Sequence, residues 1–141
     1  PKLWRARALP NHRRMVERTD IPGVWHSGGA IESVLPMAIE AGFKGVHGLE
    51  PAAGIDLGKV KRTFGDRLVL VGNVDVAVLC GSDTNEVHAE VRRCMEQGAS
   101  GGGYMLSSCN SIFKGMNPAS IVEMYEYAGR IGLYERNRER T

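Results

Sequence analysis

The sequence predicts an α/β domain of about four strand-helix units with parallel strands, and three observations carry that prediction. Short apolar runs alternate with segments of helical spacing along the whole chain, an alternation that parallel strands joined by helical crossovers satisfy. The 141 residues hold such units at about 30 residues each, whereas a closed barrel of eight units usually takes about 250. Each apolar run also ends within a step or two in a polar residue, where α/β folds keep their chemistry. Half a barrel, a small open sheet, or a half that pairs with another chain all meet these conditions.

In chain order, the start is basic. Lys2, Arg5, Arg7, Arg13, Arg14 and Arg18 have Glu17 as their acidic neighbour. The first core strand follows closely, so the segment reads as a solvated helix face rather than a targeting peptide. That strand is 23–26, opened by Pro22 and closed by Gly28-Gly29. Ile31, Val34, Leu35, Ala38 and Ile39 keep helical spacing up to Gly42, with Pro36 as a kink or a first-turn residue. The second strand is 45–49, after which Asp56 is placed to cap a helix carrying Leu57, Val60 and Phe64 that stops at Gly65.

The third strand, 68–71, is a continuous aliphatic run of the kind covered on both faces. Asp83 with Glu86 three residues on resembles a capping box ahead of Val87, Val91, Cys94 and Met95. The fourth strand, 104–107, follows Gly101 to Gly103. A dinucleotide fingerprint lies between a strand and a helix, so this glycine run argues against nucleotide binding. Asn117-Pro118 opens the last helix, with Ile121, Met124, Ala128 and Ile131 as its buried stripe. Residues 135–141 read as a charged tail.

Composition narrows the function. With 43% hydrophobic and 24% charged residues the chain has a globular composition. A net charge of +2 and 6% aromatic residues give no footprint for nucleic acid. No apolar run approaches the ~20 residues of a membrane span. Three cysteines, Cys80, Cys94 and Cys109, are an odd count without CxxC spacing, which fits a reducing, cytoplasmic setting. Cys80 and Cys94 read as packing thiols.

The strand-end rule singles out His26, Glu50, Asn73, Asp75 and the stretch Ser107, Ser108, Cys109, Asn110. Each has a plainer alternative. His26 is a site residue or a hydrogen-bonded strand histidine, and Glu50 binds ligand or satisfies loop amides. Asp75 contacts substrate or caps the following segment. His47, inside a strand, is read as structural.

Taken together, the segments Trp25-His26-Ser27-Gly28-Gly29, Glu40-Ala41-Gly42-Phe43, Leu49-Glu50-Pro51-Ala52-Ala53-Gly54-Ile55-Asp56-Leu57, Phe64-Gly65-Asp66-Arg67-Leu68, Gly72-Asn73-Val74-Asp75 and Gly101-Gly102-Gly103-Tyr104-Met105-Leu106-Ser107-Ser108 carry a resemblance. From Pro1 to about Tyr134 the chain resembles the C-terminal part of the uroporphyrinogen decarboxylase superfamily, which also contains corrinoid- and coenzyme M-type methyltransferases. The resemblance implies a domain over 1–134 that is the C-terminal half, about four βα units, of a TIM-type (α/β)8 barrel with its cleft at the C-terminal strand ends.

In the decarboxylase branch it implies a carboxy-lyase of porphyrin biosynthesis that needs no cofactor and takes a tetrapyrrole-type small molecule. His26, Glu50 and Asn110 would form the catalytic edge, with Asn73, Asp75, Ser107 and Ser108 as substrate contacts. Asn110 stands about where that branch has a histidine, and an amide cannot transfer a proton. The arginines and aspartate by which decarboxylases grip the tetrapyrrole have no counterpart here, so the half is expected to be incomplete or inactive alone. In the methyltransferase branch, a His-x-Cys pair and a distant Cys hold zinc, and a corrinoid or thiol takes part in methyl transfer. His26 and Cys109 match the first and last ligand types, but Gly28 stands at the middle position, so no metal centre is expected. A third reading is a non-catalytic half-barrel that binds a small molecule or a partner chain. Whether the chain is an enzyme stays open. Four strands leave two unpaired edges, which predicts a homodimer or higher assembly.

Overall fold

The computed structural model describes residues 1–132. The charged tail expected over 135–141, and the domain end at 134, lie outside the described residues. β1 (Val24–Ser27), β2 (Gly45–Gly48), β3 (Val69–Val74) and β4 (Tyr104–Ser108) form one parallel sheet in the order β1-β2-β3-β4. Each strand lies beside its predecessor in sequence, the winding of a barrel segment; a doubly wound sheet would reverse direction at a switch point. Helices α1 (Lys2–Arg7) and α2 (Leu9–Val16) precede the sheet. α3 (Leu35–Glu40), α4 (Leu57–Phe64), α5 (Val76–Cys80), α6 (Thr84–Gly98) and α7 (Pro118–Ile131) follow the successive strands.

Register separates the two faces of the sheet. Trp25, Val46, Leu70 and Tyr104 lie in one row across the strands, and all four are buried in the core with Leu35, Leu57, Val60, Leu79, Val87, Val91 and Met124 of the helices. The next row is His26, His47, Val71 and Met105. It points the other way, as the two-residue period of a strand requires, and Met105 is 60% exposed. Val24, on the same side, is 53% exposed. One face is thus the core and the other is open.

Local signals act where they stand. Asp56 Oδ1 accepts from the Lys59 amide at 2.8 Å and opens α4, Asp83 Oδ1 accepts from Asn85 N at 2.8 Å and opens α6, and Asn117 Oδ1 accepts from Ala119 N at 3.0 Å ahead of Pro118. Pro36 sits in the first turn of α3, behind a 3₁₀ turn over Glu32–Val34. Having no N–H, it costs nothing where the helix has no acceptor to offer.

Three expectations are corrected. β3 runs on to Val74, past the expected end at Val71, because Gly72, Asn73 and Val74 pair with Leu106, Ser107 and Ser108. Cys80 is exposed, since in the short α5 the inward position belongs to the fully buried Leu79. Ile131, at the last position of α7, is exposed, while Met124 higher in the same stripe is buried. The basic start is helical and mostly exposed, as expected. It docks through Leu9 and through Trp4, which stacks on His12 and meets Trp25 edge-on. Among the described residues no helix is long and apolar enough to cross a membrane.

Candidate active site

The C-terminal strand ends form the candidate site, and its centre is a histidine pair. In-register pairing of β1 with β2 sets His26 beside His47. Their Nδ1 atoms are 2.8 Å apart, with the rings tilted by 31°. His47 Nε2 lies 3.1 Å from the backbone carbonyl of Ser108 at the end of β4. On β3, the strand between them, a Cβ at Gly72 would meet the Gly48 carbonyl at 2.8 Å. Gly72 also has φ +132, so only glycine suits this position. His26 is exposed on the open face and His47 is half-buried.

Glu50 follows β2 and its Oε2 accepts from the Gly29 amide at 2.7 Å. It thereby fixes the loop that leaves β1 two residues after His26. A Cβ on Gly28 would stand 3.3 Å from the same oxygen. Ser108 Oγ donates to the Asn110 carbonyl at 2.6 Å, and Asn110 Oδ1 accepts from Ser111 N at 2.8 Å, so both shape the turn after β4. Ser107 is half-buried, opposite Asn73.

Asn73 and Asp75 belong to a second network, directed to α6. Asn73 is fully buried. Its Nδ2 donates to the Leu49 carbonyl at 2.7 Å and its Oδ1 accepts from Arg93 Nη2 at 3.1 Å. Asp75 caps α5 through the Ala77 amide at 2.9 Å, and its own amide donates to Glu90 Oε1 at 3.0 Å. Arg93 closes the circuit onto Glu90 at 2.6 Å. Burial opposes the Glu90 charge, yet the Arg93 hydrogen bond and the Asp75 amide outweigh it and hold the carboxyl below its ordinary range.

The structure therefore brings His26, Glu50, Ser108 and Asn110 to one end of the sheet, and commits the Asn73 and Asp75 side chains to internal hydrogen bonds at that same end. His47, Glu90 and Arg93 are parts of the arrangement that sequence reading did not single out for it. In the observed strands His47, like His26, is the third residue, so equal register makes the two neighbours; the expected strands 23–26 and 45–49 put them at unequal positions.

A metal centre of the His-x-Cys type was tested on the same residues. Gly28, at the middle position of the ligand set, offers no ligand atom. Cys109 is buried, and burial, with the Asp75 and Glu50 charges adding to it, pushes its thiol above the ordinary cysteine value. Among the described residues no group of three His, Cys, Asp or Glu side chains is placed to hold a metal ion. The residues present do not fit that zinc site. Cys94, wholly buried, has its thiol pushed up to about 11 by burial, which suits packing rather than chemistry.

The winding and the open face define the class: a segment of a TIM-type barrel with polar residues at the C-terminal strand ends. A methyltransferase from Methanosarcina mazei has the same fold, with a TM-score of 0.77 at 20% sequence identity, over 92% of this chain and 37% of that one. The uroporphyrinogen decarboxylase of Thioalkalivibrio sulfidiphilus is 29% identical over 79 residues, which are 56% of this chain and 22% of that protein. The family model for uroporphyrinogen decarboxylase (URO-D) matches residues 1–131. The chain belongs to the URO-D family, and it spans well under half the length of the relatives it matches.

Proposed function

We propose that the chain supplies the C-terminal half of a uroporphyrinogen decarboxylase-like site that binds a carboxylated small molecule of tetrapyrrole type, with His26 as the proton-carrying group. The observation that carries the reading is the exposed His26 imidazole, held by His47 on the open face at the strand ends. In such a reaction a carbon takes a proton while its carboxylate substituent leaves as carbon dioxide, which needs a positioned acid and polar groups around the carboxylates. No cofactor enters that chemistry. Methyl transfer through zinc is the weaker reading, because the ligand set it needs is broken at Gly28.

Completion of the site requires groups beyond this half, since the arginines and aspartate by which decarboxylases grip the tetrapyrrole have no counterpart here. The isolated chain is expected to bind uroporphyrin, followed by quenching of its fluorescence, and to release no carbon dioxide from uroporphyrinogen. His26→Ala should weaken that binding several-fold. Absence of binding, or carbon dioxide release that survives His26→Ala, would overturn the reading. Release abolished by His26→Ala would keep His26 in its role and show that this half is sufficient.

A further inference from the structure

We propose that His47 is a positioning residue for His26: it accepts the Nδ1 proton of His26, fixes the tautomer of that ring, and leaves His26 Nε2 as the atom that exchanges a proton with a ligand on the open face. The inference rests on the reading of His26 as the proton carrier and adds the residue that orients it.

One backbone atom anchors the assignment. The Ser108 carbonyl can only accept, so His47 Nε2, 3.1 Å away, carries a hydrogen. A neutral imidazole has one N–H, and His47 Nδ1 is then a lone pair. His26 Nδ1, 2.8 Å from it, supplies the hydrogen of that contact. The remaining nitrogen of His26, Nε2, is left as an acceptor, and it has no protein partner among the described residues. A carbonyl at the end of β4 therefore dictates, through two rings, where the proton sits on β1.

The arrangement divides the labour between the histidines. Both nitrogens of His47 are engaged, one by Ser108 and one by His26, so His47 has no free nitrogen to offer a ligand. His26 has one. When His26 carries protons on both nitrogens, the Nδ1–H to His47 bond is kept and only the Nε2–H bond is exposed for transfer. On transfer that N–H bond breaks and a C–H bond forms at the ligand carbon. The electron pair for it comes from the C–C bond to the departing carboxylate, which leaves as carbon dioxide. His26 is then neutral in the Nδ1–H form that His47 already holds, so no hydrogen bond has to be remade during the step. Fixing one ring nitrogen through a hydrogen bond so that the other does the chemistry is a general use of histidine.

Long-range proton-nitrogen NMR of the ¹⁵N-labelled 141-residue chain, at a pH where both rings are neutral, tests the pair directly. His26 is expected to show the Nδ1–H pattern and His47 the Nε2–H pattern. In His47→Phe, which keeps an aromatic ring on the strand, the His26 signals should move to a mixture in which Nε2–H is populated. His26→Phe should leave His47 at Nε2–H, because Ser108 still holds it. A wild-type His26 in the Nε2–H form, or a His26 pattern unchanged in folded His47→Phe, would overturn the proposal. Should His47→Phe not fold, the wild-type pattern and His26→Phe still decide it. The uroporphyrin titration separates the two claims: expected tautomers with binding untouched by His26→Ala would sink the functional reading and leave the pair standing.

Discussion

Glu90 shows how a single side chain ties the end of β3 to the helix behind it. Its carboxylate accepts from the Asp75 amide and from Arg93, which in turn reaches the carbonyl and side chain of Asn73. The folded chain holds the Glu90 carboxyl below its unfolded value, so its charge favours folding above the ordinary carboxylate range, and that contribution is lost as pH falls through the lowered folded value. The stability gap between wild type and Glu90→Gln, measured by urea unfolding, is expected to be widest near neutral pH and to narrow below about pH 4. A gap that grows on acidification would contradict this wiring. Sequence reading reached part of this scale. His26 and Glu50 stood out because each follows an apolar run, and the Asp75 cap is local. The wiring of Asn73 to Arg93 was out of reach, because it joins residues 20 apart, and the anchor of His47 is a backbone carbonyl 61 positions away.

Among the elements, the contact of α6 with β4 is sensitive to volume. Gly98 ends α6 against the ring of Tyr104, where a Cβ would approach ring carbons to 2.7 Å, and Tyr104 is itself buried with its hydroxyl donating to the Gly72 carbonyl. Gly98→Ala is expected to lower the unfolding free energy by about 1–3 kcal/mol through overpacking, seen as a lower urea midpoint with an unchanged slope. An unchanged midpoint would mean the ring can move aside. The elements themselves were largely legible, since caps such as Asp56, Asp83 and Asn117 lie within three residues of the amides they satisfy. The end of β3 was not. Asn73 is polar and looks like the start of a loop, yet it lies buried in the strand because Leu49 and Arg93 satisfy its amide group.

For the whole molecule, the open face sets the expectation. Val24 and Met105 are more than half exposed there, while Val69 and Val71 of the central β3 lie between them with partial exposure. β1 and β4 each have a neighbour on one side only among the described strands. Unpaired edges beside an apolar surface favour cover. In a second copy related by a two-fold axis, β1 would meet β4 of its partner at both seams and close eight strands around the two histidine pairs. A homodimer is therefore expected at micromolar concentration, burying more than the ~1,000 Å² that separates specific interfaces from incidental ones. Sedimentation velocity should show a species of twice the chain mass. Met105→Lys, which puts a charge on the open face without entering the helix-side core, should return it to the monomer with its helical circular dichroism intact. A wild-type chain that sediments as a monomer at these concentrations would rule out closure by self-pairing. Cover for the open face would then have to come from a different chain segment, and the histidine pair would face that segment instead of its own copy.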